Sequence, residues 1–103
     1  MKITKDIYIK ATAEAMNRES TQKLFKADSQ AFDMFSLFSF ILFTRLEGKD
    51  VTEYDYSDAL AMLIVDVLPN SNKQGSKIKI LALMIFSFQI WDELEKLDKT
   101  RQQ

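Results

Sequence analysis

FDMFSLFSFILFTRL, residues 32–46, poses the central problem of this chain. Its Phe, Leu, Ile and Met side chains fall all round a helical turn instead of along one side, a pattern that predicts a helix covered on every face. A membrane span needs about 20 mostly apolar residues. This run holds Asp33 near its start and is closed by Arg45, Glu47, Lys49 and Asp50. The second apolar run, IKILALMIFSFQIW at 78–91, contains Lys79 and Gln89 and leads directly into DELEKLDK. Both runs therefore read as buried helices of a soluble protein.

The chain has 103 residues, an expectation of one helical domain over 1–103. A domain of that size buries about two-thirds of the surface its unfolded chain exposes. With 47% hydrophobic residues and eight Phe, it carries more apolar area than such a fold shelters, so a second molecule is expected to cover the excess.

The remaining segments show helix punctuation. Thr4 reads as the cap of a first helix reaching Arg18, with Ile7, Tyr8, Ala11 and Ala15 on one face; the alternation in DIYIK also fits a short strand. Ser20 reads as the start of a short helix holding Leu24 and Phe25. Ser29 reads as the cap of the Phe-rich helix, and Gly48 as its left-handed stop. Thr52 opens the next helix, with Glu53, Asp55 and Asp58 in its first turns as the helix dipole favours, and Pro69 ends it. On that helix Tyr56, Leu60, Leu63, Ile64 and Val67 converge, while Asp66 belongs on the solvent side, because a buried ionised carboxylate costs several kcal/mol. The loop PNSNKQG at 69–75 precedes Ser76, read as the cap of a last helix to about Lys99.

That last helix carries two apolar stripes. Ile80, Leu81, Met84, Ile85, Phe88 and Trp91 form one; Leu83, Phe86, Ile90, Leu94 and Leu97 form the other. Leu83, Phe86, Ile90 and Leu97 keep a three-four spacing like a coiled-coil seam, with Glu93 in place of one core residue. The expectation is therefore an all-α bundle of four to five helices that self-associates as a homodimer. Its partner or dimer interface is expected at Phe35, Phe38, Phe40 and Phe43, joined by Leu83, Phe86, Ile90, Leu94 and Leu97.

Chemistry is constrained by absences. The chain has no His and no Cys, which removes the usual general base near neutral pH, thiolate nucleophiles and the commonest metal and haem ligands. No cofactor, metal or small-molecule substrate is expected. Carboxylates occur in pairs at Asp55 and Asp58, Asp92 and Glu93, and Glu95 and Asp98, but spacings of three or fewer on a helix beside Lys or Arg are those of solvated faces and ion pairs. Gly75, Ser76 and Lys77 lack the earlier Gly of a phosphate loop. The N-terminal MKITKDIYIK has no apolar leader core, so a cytoplasmic setting is expected.

Fourteen Lys plus Arg stand against fifteen Asp plus Glu, which argues against nucleic acid held by the overall field. The alternative reading, a DNA-binding regulator, rests on NSNKQGSKIK at 70–79, whose Lys73, Lys77 and Lys79 would meet phosphates. The helix that follows turns apolar by Ile80, a poor surface for a groove. In length and helix number the chain resembles the small bacteriocin-immunity proteins and the compact inhibitors encoded by phages and plasmids. That resemblance is one of size and shape. It implies a non-enzymatic inhibitor or regulator that binds a protein partner.

Overall fold

The computed structural model describes residues 1–67 and 74–102. Among these the chain is all-α, with five helices: α1 (Lys5–Met16), α2 (Glu19–Ala27), α3 (Ser29–Leu46), α4 (Glu53–Val67) and α5 (Gln74–Gln102). DIYIK is helical. The extended segment lies just before it, where Ile3 N–H donates to the Lys49 carbonyl (3.1 Å), Gly48 N–H to that of Ile3 (2.8 Å) and Val51 N–H to that of Met1 (2.7 Å). Residues 1–3 thus run antiparallel to the α3–α4 link, with Lys2 opposite Asp50.

Local chemistry sets most boundaries. Thr4 caps α1, its hydroxyl accepting from Ile7 N–H at 3.4 Å. Gly48 follows α3 at φ +76°, a conformation costly to residues bearing a Cβ. Thr52 and Asp55 form a reciprocal cap: Asp55 N–H donates to Thr52 Oγ1 at 3.1 Å and Thr52 N–H to Asp55 Oδ2 at 3.0 Å.

Three expected caps move. Asp28 caps α3, accepting from Gln30 N–H at 3.0 Å, since its side chain is the one the turn aims at that donor and Ser29 is already helical. α2 begins at Glu19 behind Arg18, with no side-chain cap, so Ser20 lies inside it. α5 begins at Gln74 and absorbs Ser76. Pro69 lies outside the described residues.

The buried side chains form one continuous cluster drawn from α1, α3, α4 and α5, with Leu24 and Phe25 of α2 packed against it. α1 lies along α5, and its buried face carries Ala11 and Ala15, both fully buried, whose small side chains permit close approach. Phe35 is the aromatic junction, 4.7 Å from the Phe86 ring and 5.7 Å from that of Phe25. Tyr56 stacks at 4.9 Å on Trp91 and joins α4 to α5.

The molecule measures 45 × 28 × 17 Å. A thickness of 17 Å accommodates about two helix layers, since packed helices lie 8–10 Å apart. In two layers each helix has one covered side and one open side. α3 is accordingly not enclosed all round: Ala31, Phe35, Phe38, Leu42 and Leu46 face inward, while Phe32, Leu37 and Phe40 are exposed.

Candidate functional site

The structure reverses the expected roles of the two α5 stripes. Leu83, Phe86, Ile90 and Leu94 are buried by the chain's own helices, and Leu97 is partly buried against the same core. Phe35, Phe38 and Phe43 are likewise core. Of the side chains expected at a partner surface only Phe40 is open, at 63% exposure. The correction has a simple cause: α1 lies along α5 and α3 sets Phe35 against Phe86, so the chain's own helices cover this stripe.

The other side of α5 is left bare. Ile78, Leu81 and Ile85 are 67%, 57% and 52% exposed, and Met84 and Phe88 are each more than one-third exposed. Ile80 is half-buried and Trp91 buried, so the stripe is narrower than spacing suggests. Its flanks are closed by neighbouring helices. Ile85 meets Ser20, Thr21 and Leu24 of α2 in a shallow crevice, and the Phe88 ring lies 6.4 Å from that of Tyr56 on α4. Beyond Phe88 the same side turns polar with Asp92, Glu95 and Lys99. The result is a bounded apolar ridge of three turns.

A second apolar feature is a groove of about 320 Å³ between α1 and α3. Tyr8, Ile9, Met16, Phe40 and Phe43 line it, with Lys5 at its edge.

Several ionisable groups are engaged in structure. Arg18 donates to Glu93 Oε1 at 2.7 Å, and Lys96 approaches the same oxygen at 3.4 Å. The Arg18 hydrogen bond holds the Glu93 carboxyl below its ordinary value. The backbone and hydroxyl of Thr52 lower Asp55 in the same way. Arg45 pairs with Asp66 at 2.9 Å, so Asp66 faces solvent and ties α4 to α3 within the chain. Burial pushes the Tyr8 and Tyr56 hydroxyls up. Both stay protonated and donate to backbone, Tyr8 to the Ser39 carbonyl at 2.8 Å and Tyr56 to that of Ser87.

Among the described residues no cluster of three or more side chains could hold a metal ion, and no helix is long and apolar enough to cross a membrane. Of the lysines weighed for nucleic acid, Lys73 lies outside the described residues and Lys77 belongs to the opening of α5. Lys79 is exposed and lines a crevice with Asp28 and the apolar Leu24, Met34, Ile78 and Ala82, not a basic surface. Comparison with protein-family models, with curated proteins and with solved structures gave no match.

Proposed function

We propose that this chain is a non-enzymatic protein-interaction module of the cytoplasm, an inhibitor or regulator that acts by occupying a protein surface. The observation that carries the reading is the bare ridge of α5, where five large apolar side chains recur over three turns on a helix whose opposite side is core. Contiguous apolar area rimmed by polar residues is the mark of an interaction surface, and each such side chain gains about 1.5–3 kcal/mol when fully buried. Support also comes from the state of the polar groups. The carboxylate of Glu93 and the hydroxyls of both buried tyrosines are committed to holding helices together, which leaves no poised acid-base pair among them.

The test compares the wild-type chain with a Leu81→Lys/Ile85→Lys variant. Both positions are more than half exposed, so the variant should keep its helical circular dichroism and melt within a few degrees of the wild type. It should bind less apolar dye, the α1–α3 groove being unchanged, and lose, by at least tenfold, the capture of a specific protein from extract of the source cells. Unchanged capture by the folded variant would remove the ridge from the function.

A further inference from the structure

Resting on the reading of the α5 ridge as a contact surface, we infer that its occupant is a second copy of the same helix, packed antiparallel about a two-fold axis near Leu83. Ile78, Leu81, Ile85 and Phe88 are spaced three, four and three, the a and d positions of two heptads. The core-facing residues Leu83, Phe86, Ser87 and Ile90 lie on the opposite side of the helix. The seam is therefore free for knobs-into-holes packing without disturbing the monomer fold.

Charge decides the direction. The next a and d positions are Asp92 and Glu95. In a parallel pair each would face its own mate, carboxylate against carboxylate, at the end of a short seam. In an antiparallel pair Ile78 packs on Phe88 of the partner subunit and Leu81 on Ile85 of the partner subunit, and the layers repeat through the two-fold. The following layer brings Asp92 to the level of the first turn of the other copy's α5, which begins at Gln74. There the helix dipole favours negative charge. Asp92 of each helix then attracts its mate instead of repelling it.

Size sets the strength. The five ridge side chains expose on the order of 500 Å² per copy, hence about 1,000 Å² in the pair, the lower edge of specific interfaces. An interface of that size belongs with weak, reversible association.

The chain has no Cys, so a single introduced thiol carries a unique label. Lys99→Cys lies on the exposed side beyond the seam. Bearing a nitroxide, the full chain should show an intermolecular distance of roughly 50 Å in an antiparallel pair, from 1.5 Å of rise per residue, against about 10 Å in a parallel one. Sedimentation equilibrium up to about 500 µM should give a mass approaching twice 12.0 kDa. Leu81→Lys should return it to one chain, and Ile9→Lys, exposed on α1, should leave it paired. A short label distance would overturn the antiparallel arrangement. A wild-type chain monomeric at the highest concentration would overturn the second copy, and the reading of the ridge as an interaction surface would then stand or fall separately, on capture by Leu81→Lys/Ile85→Lys.

Discussion

Ser87 sits 1% exposed between α4 and α5, and its two oxygens fare differently. Its carbonyl accepts the Tyr56 hydroxyl, while its own hydroxyl has no hydrogen-bond partner. A buried polar group left unpaired loses its solvation without recompense. Ser87→Ala removes that group, keeps the carbonyl for Tyr56 and replaces a modest helix former with the best one. Stability should rise by about 1 kcal/mol, read by chemical denaturation with Trp91, the only tryptophan, as the fluorescent probe. A loss of stability would mean that the hydroxyl is paired in solution. At this scale much was legible from sequence. Thr4, Gly48 and Thr52 announce helix ends because each offers a specific group for an orphan donor or a conformation that other residues resist. Asp28 and Ser29 are adjacent acceptors, and sequence cannot rank them without the turn that aims one of them at Gln30.

The elements are joined by a few directed contacts, of which Arg18 to Glu93 is the most consequential, since it ties the α1–α2 corner to the side of α5 that carries the core. Glu93 is held below its ordinary value of 4.5 by that hydrogen bond. A carboxyl lowered in the folded state contributes stability that is present above its unfolded value and is lost as pH falls through the folded one. Stability should therefore decline below about pH 4.5 and go on falling until Glu93 is protonated in the fold. Glu93→Gln should reduce that acid-side slope, measured as denaturation midpoints at neutral and acid pH, and leave the share due to Asp55. An unchanged slope would place the acid sensitivity elsewhere. The two α5 stripes exchange the roles that spacing predicts for them. Periodicity alone cannot tell two equally apolar sides apart, but their continuations differ: one runs on into Leu94 and Leu97, the other into Asp92, Glu95 and Lys99. The stripe that stays apolar is the one its own chain covers.

At the scale of the molecule, the two-layer arrangement accounts for an apolar surplus that composition announces and helical wheels misplace. Spacing round α3 treats Phe35 and Phe40 alike and predicts both at a partner surface, yet they are 2% and 63% exposed. Phe35 bridges α2, α3 and α5 through Phe25 and Phe86, so truncating it opens a cavity where three helices meet. Phe35→Ala should cost about 3–5 kcal/mol, a large part of the roughly 5–15 kcal/mol that holds a domain together. Phe40→Ala removes a ring from the open edge of the α1–α3 groove and should change stability by no more than about 0.5 kcal/mol. Thermal melts of the two variants make the comparison directly. Phe35→Ala should melt far below the wild type or fail to fold, and Phe40→Ala should melt beside it. Equal and small losses would mean that the helices do not close over Phe35 in solution. The surplus would then lie in the core as well as on the ridge, and the division of α5 into an inner and an outer side would lose its basis.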